Sequence, residues 1–220
     1  RIKDGGEIAM RRLPLIITLI TLITNSALPQ DNGRAKQLSK QILNLMNTAE
    51  VPGLSIATID DGKIGWTGSF GVKDTKTAER VDAQTVFPAA SLGKVVFAYG
   101  VLKLVDEGKF ELDVPVSKYL PAYIEHDDRV NLITARHVLT HRTGFPNWRP
   151  SGKLLVMYFK PGERYSYSGE GFVYLQRAVE KITGQPLNEF MQRTVFGPLG
   201  MTNSSYLWQE KFEALAVAGH

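Results

Sequence analysis

Cysteine is absent from all 220 residues. Its absence excludes disulfides, thiolate catalysis, Cys-ligated zinc and lipidation of a cysteine within this sequence. Charge of one sign is nearly absent as an excess: the formal net charge is +4. Residues 1–27 carry +2 of it, through Arg1, Lys3, Arg11 and Arg12 against Asp4 and Glu7. The remaining +2 gives no argument for nucleic acid, and no basic cluster is interleaved with aromatics. Repeats and low-complexity stretches are missing too. Histidine is sparse, with four in the chain. His137 and His141 stand at i and i+4, but the stretch HVLTH lacks the glutamate of a zinc-binding H-E-x-x-H, so no metal site is expected. What is present is ordinary for a soluble domain with a sizeable core: 43% hydrophobic and 22% charged residues.

No apolar run is long enough for a comfortable membrane span. The longest follows Met10: Arg11-Arg12, then LPLIITLITLIT, then Asn25-Ser26-Ala27. A charged start, a short apolar stretch and a small-residue exit read as a secretory signal peptide cleaved near Ala27. Residues 1–9 precede that methionine and read as upstream sequence carried in frame. The expected division is therefore 1–27 as upstream residues and leader, and 28–220 as one exported domain, secreted or periplasmic, with no stable span after cleavage.

Within that domain, RAKQLSKQILNLMNTA (34–49) sets apolar residues at 38, 42, 43, 45 and 46, as an amphipathic helix does. LSIATID (54–60) and KIGWTGSFG (63–71) read as strands of a hairpin about Asp61-Gly62, and 73–84 as a loop. LGKVVFAYGVLKLVDE (92–107) is apolar around most of its circumference and is expected to be a buried helix closed by Gly108. Prolines and Gly144 break 111–150 into short pieces. GFVYLQRAVEKITG (171–184) and PLNEFMQRTVF (186–196) read as two further amphipathic helices.

The mouth of the 92–107 helix carries the one S-x-x-K of the chain, Ser91-Leu92-Gly93-Lys94. Serine is a poor nucleophile at neutral pH and needs a base in hydrogen-bond reach. Lys94 lies one helical turn on, along the same face. Burial would disfavour its ammonium and free it to act as a base, while the helix N-terminus would favour negative charge at Ser91. With 11 serines and 14 lysines, about 0.7 such matches arise by chance, so the motif alone carries little and its position carries more.

Three blocks in order give the motif its context. TVFPAASLGKVVFAYGVLKLVDEGKFELDVPVSKYLP (85–121), LITARHVLTHRTGF (132–145) and PGERYSYSGEGFVYLQRAVEKITGQPLNEFMQRTVFGPLGM (161–201) resemble the signature regions of β-lactamase-related serine hydrolases, the superfamily of penicillin-binding proteins and class C β-lactamases and esterases. The resemblance runs from about Pro52 to Met201. It implies an α/β, β-lactamase/transpeptidase-like fold: an antiparallel sheet flanked by helices plus a helical subdomain. It implies that Ser91 attacks a carbonyl and becomes acylated, that Lys94 takes or steers the serine proton, and that Tyr167 carries it to the leaving group. Neither metal nor cofactor is implied. The substrate would be a small molecule or a peptidoglycan-derived compound: an ester, a D-amino-acid peptide or a β-lactam.

The sequence departs from that family in two places. Its second motif, Tyr-x-Asn, reads Tyr167-Ser168-Gly169 here, so the amide that would touch lysine and substrate is missing. Glu170 next door is either a stand-in partner for Lys94 or a surface glutamate at a helix start. The third motif, a Lys/His-Thr/Ser-Gly triplet on a strand beside the serine, does not occur after Tyr167. The sequence thus reads as an N-terminal portion whose remaining C-terminal strands are missing from it, with an unpaired sheet edge and bare apolar surface expected. Trp148 and Arg149 fall where the family builds one wall of its cleft, and His141 is expected to hydrogen-bond locally near a helix end. Two rival readings remain: a sensor that binds or is acylated without turnover, and an inactive truncation.

Overall fold

A computed structural model of the chain describes residues 32–149 and 151–218; the expected leader lies outside them. Helix α1 (Asn32–Thr48) buries Ile42 and Met46, one turn apart, while Leu43 and Leu45 face out. Strands β1 (Gly53–Asp60) and β2 (Lys63–Gly71) pair antiparallel, from Gly53 opposite Gly71 to Asp60 opposite Lys63. Asp61 and Gly62 both take positive φ, 48° and 73°, as a two-residue hairpin turn requires. The 73–84 loop folds back on the hairpin, and its Lys73 is buried against Glu79 and the Ala214 carbonyl.

The larger part of the described chain is a helical body. It contains α2 (Gly93–Asp106), α3 (Ala135–Leu139), α4 (Gly169–Thr183) and α5 (Leu187–Met191). The helix expected over 186–196 is two pieces: α5 runs directly into a π-helical turn at Gln192–Phe196. Phe97, Val101 and Leu104 of α2, Tyr174 and Leu175 of α4, and Phe190 and Met191 of α5 share one core. Burying side chains of this size contributes about 1.5–3 kcal/mol each.

Helix α2 corrects its sequence reading. It buries one face only, Phe97, Gly100, Val101 and Leu104. Leu92, Val95, Tyr99 and Leu102 are exposed, Val95 to 70%. The spacing explains which face won. Residues 97, 100, 101 and 104 recur at three and four, and Gly100 admits Met191: a Cβ at 100 would stand 2.8 Å from the Met191 sulfur.

The segment 141–149 crosses the N-terminal end of α4 and is bound to it. The hydroxyl of Ser168, the N-cap of α4, accepts from Gly171 N–H at 2.9 Å and donates to the Pro146 carbonyl at 2.8 Å. The N–H of Gly169 donates to Asn147 Oδ1 at 3.0 Å, and that of Glu170 to the Asn147 carbonyl at 2.9 Å. The Glu170 side chain completes the joint. It is 5% exposed, and Oε1 accepts from the Tyr123 hydroxyl at 2.5 Å and from Arg149 at 2.7 Å. Its place in the first turn of α4 adds the favourable field of a helix N-terminus.

Breaking this joint should cost stability. Glu170→Ala leaves a guanidinium and a buried phenol without their acceptor, but Arg149 is partly in water, so the loss should be about 2 kcal/mol. Tyr123→Phe removes one neutral donor and should cost about 1 kcal/mol. Urea unfolding midpoints measure both, and a Glu170→Ala midpoint equal to wild type would contradict the assignment.

Candidate active site

Ser91 lies in a short 3₁₀ turn, Ala90–Leu92, that leads directly into α2. Ala90 is a non-glycine residue with φ of 43°, a left-handed conformation that costs energy and clusters at functional sites. The turn presents Ser91 to solvent. One turn into the helix, Lys94 Nζ donates to Ser91 Oγ at 3.2 Å. Lys94 is half-buried rather than enclosed. Aromatic faces surround its ammonium: Nζ stands 5.2 Å from the Tyr167 ring centre and 5.9 Å from that of Phe172.

Tyr167 reaches the same spot from the segment that precedes α4. The Lys94 ammonium, and after it the Ser91 hydroxyl, favour the ionised phenol and hold its pKa below the ordinary 10.0. Under the ring lies His141, with centroids 4.3 Å apart and planes inclined by 29°. Partial burial, and then the charge of Lys94, lower the His141 pKa from its ordinary 6.5. A hydroxyl, an ammonium and a phenol thus converge on one exposed edge of α2. This set can take a proton from the serine and hold it close by.

The other residues singled out from the sequence belong to the joint at the start of α4. Trp148 is 63% exposed and lies against Gly169. Glycine at 169 has a steric cause: an added Cβ would stand 2.7 Å from the Asn147 carbonyl oxygen, 3.0 Å from the Trp148 ring and 3.1 Å from Asn147 Oδ1. An asparagine side chain at 169 would need the 147–148 backbone to withdraw. Glu170 fits neither sequence reading. It is not a surface residue, and it is bound by Tyr123 and Arg149 rather than by Lys94. Arg149 faces this joint, so its charge is committed to the fold.

Sequence reasoning missed Asn147 and Tyr123 and gave His141 only a local bond. In the structure His141 Nδ1 accepts from Ser168 N–H at 3.1 Å, 27 residues away. The signal lay in the sequence only as a histidine before Thr143-Gly144, with nothing local to name its partner. His137 serves α3, closing a capping box with Thr134. Among the described residues no group of three or more His, Cys, Asp or Glu could hold a metal ion.

Comparison with known proteins places this geometry. The profile of the Beta-lactamase family matches residues 38–220. Protein flp of Staphylococcus aureus is 24% identical over 193 residues, covering 80% of this chain and 39% of that protein. Esterase EstB of Burkholderia gladioli is 29% identical over 189 residues, covering 72% of this chain and 48% of that protein. The octameric penicillin-binding protein homologue from Pyrococcus abyssi is similar in structure, with a TM-score of 0.72 and 28% identity over 84% of this chain and 47% of that one. The chain therefore spans between 39% and 48% of the length of these relatives. Its fold is the α/β, β-lactamase/transpeptidase-like fold expected from the three sequence blocks, and the chain belongs to the Beta-lactamase family.

Proposed function

We propose that the protein is an exported serine hydrolase that transfers acyl groups through a covalent ester on Ser91. The observation that carries this reading is the meeting of Lys94 Nζ with Ser91 Oγ at 3.2 Å beside a phenol of lowered pKa. Ser91 Oγ attacks the substrate carbonyl carbon, and its proton passes to the Lys94–Tyr167 pair. The tetrahedral oxyanion forms at the N-terminal end of α2, where helix amides favour negative charge. As the carbonyl re-forms, the bond to the leaving group breaks and Tyr167 returns the proton to it. Water then attacks the Ser91 ester and gives up a proton to the same pair; the acyl–Oγ bond breaks, the pair returns that proton to Ser91 Oγ, and the acid is released.

The substrates proposed are small or peptidoglycan-derived acyl compounds: an ester, a D-amino-acid peptide or a β-lactam. A relative named as an esterase and another named penicillin-binding protein 4 support that range. Gly169 favours esters and peptides over β-lactams within it, because the motif amide that would grip a substrate carbonyl is absent. Trp148 offers an exposed aromatic face against Gly169, suited to the apolar part of an acyl donor. Export rests on the Met10–Ala27 pattern, which implies a secreted or periplasmic protein. Among the described residues no helix is long and apolar enough to cross a membrane.

Three measurements on the full-length protein test this. A fluorophosphonate probe should label wild type at Ser91 and leave Ser91→Ala unlabelled with an unchanged circular dichroism spectrum; labelling of the variant would show that another residue is the nucleophile. Tyr167→Phe should lower turnover of a nitrophenyl ester by about 100- to 10,000-fold. In wild type the acylation rate should rise with pH through an inflection below 10.0, since a lowered phenol pKa makes the base form available earlier. That limb should vanish in Tyr167→Phe. One equivalent of acylation with no second turnover would mark a sensor instead of a hydrolase.

A further inference from the structure

His141 is not part of the proton path just described, yet it makes three separate contacts around Tyr167. Its carbonyl accepts from Ser166 N–H at 2.8 Å. Its Nδ1 accepts from Ser168 N–H at 3.1 Å. Its ring lies 4.3 Å under the Tyr167 ring, supported behind by Phe172 at 5.1 Å and at the edge by Tyr165 at 5.9 Å. Both chain neighbours of Tyr167 and one face of its ring are therefore held by a single residue. His141 itself takes φ of 54°, uncommon for a residue other than glycine.

We propose that His141 is the positioning residue for Tyr167, holding the phenol against Lys94 and Ser91 as the neutral imidazole with its proton on Nε2. This rests on Tyr167 being the proton carrier. The tautomer follows from the hydrogen bond, because a nitrogen that accepts an amide N–H carries no proton of its own. Protonation at Nδ1 would set two donors face to face and release Ser168. It would also put a second positive charge beside Lys94.

The groups that face the imidazole give the direction of the pH effect. From α2 it meets the Lys94 ammonium, from the segment before α4 the phenols of Tyr165 and Tyr167, and from α4 only the apolar ring of Phe172. No carboxylate is among these groups. Partial burial and Lys94 both oppose the charged form, so the imidazole stays neutral to below 6.5 and the brace fails only as pH falls further. The acid limb of turnover thus belongs to His141 and the alkaline rise to Tyr167.

The test uses two variants and one spectrum. His141→Phe keeps a ring under Tyr167 but loses the acceptor and the titration. His141→Asn offers an acceptor again and tolerates positive φ. With a nitrophenyl ester, His141→Phe should lower kcat on the order of tenfold to a hundredfold, as a small misplacement of a catalytic group does, with KM within about twofold and the acid limb gone. His141→Asn should recover most of kcat and also lack the acid limb. Retention of the acid limb in His141→Phe, or wild-type kcat in both variants, overturns the proposal. Nitrogen-15 NMR of the histidine rings in the wild-type protein reads the brace without any turnover or variant. It should report His141 as the Nε2–H tautomer at pH 7, and a proton on Nδ1 overturns the proposal. Should wild type show no Ser91 labelling, the hydrolase reading fails on that ground alone, while the NMR result still decides what His141 does.

Discussion

A buried carboxylate holds the site side of the molecule together. Glu170 sits in the first turn of α4 with its charge out of water, and it is tolerated there because Tyr123 and Arg149 both donate to it. Those two donors come from separate stretches of chain. Their convergence fixes the 141–149 segment against the start of α4, and burial together with the Glu170 hydrogen bond pushes the Tyr123 phenol well above its ordinary pKa, so it remains a donor. Tyr167, which meets Lys94 from the far side of the sequence, and His141 beneath it both lie next to that joint.

The near side depends on a different constraint, the packing of one face of α2. Phe97, Val101 and Leu104 lock the helix into the core, and Gly100 lets Met191 come close. Lys94 lies one turn before Phe97. It is therefore held between the core and solvent, where its ammonium can meet two aromatic faces and still reach Ser91. The Tyr206 hydroxyl adds a tie at the start of the helix by donating to the Gly93 carbonyl at 2.6 Å. Two segments anchored on one shared core thus meet at the hydroxyl of one serine, and neither sets the distance between Ser91 and Tyr167 alone.

This division explains what could be read from the sequence. Local rules sufficed wherever the partner was near. The hairpin follows from alternation about Asp61-Gly62, α4 from its amphipathic spacing and a Gly184 stop, and the Ser91–Lys94 approach from a spacing of three on a helix. Local rules failed wherever the partner was far. Glu170 looks like a surface residue until Tyr123, 47 positions away, is brought to it. His141 looks like a helix-end histidine until Ser168 arrives. The overestimate of burial on α2 has a third cause. An all-apolar circumference shows that every face can be covered, whereas only the face spaced at three and four is covered by described residues.

The missing asparagine of the second motif shows the same logic acting on chemistry. From sequence alone, Gly169 reads as a loss. In the fold it is a consequence, since the Asn147 carbonyl and the Trp148 ring occupy the space a side chain there would need. Those two positions are held in turn by hydrogen bonds from Gly169 and Glu170 and by the Arg149–Glu170 pair. Glycine and the close-fitting 147–148 segment therefore require each other. Restoring the amide at 169 alone would push the Asn147 carbonyl and the Trp148 ring aside, so a side chain at this position has to move residues 147, 148 and 169 together.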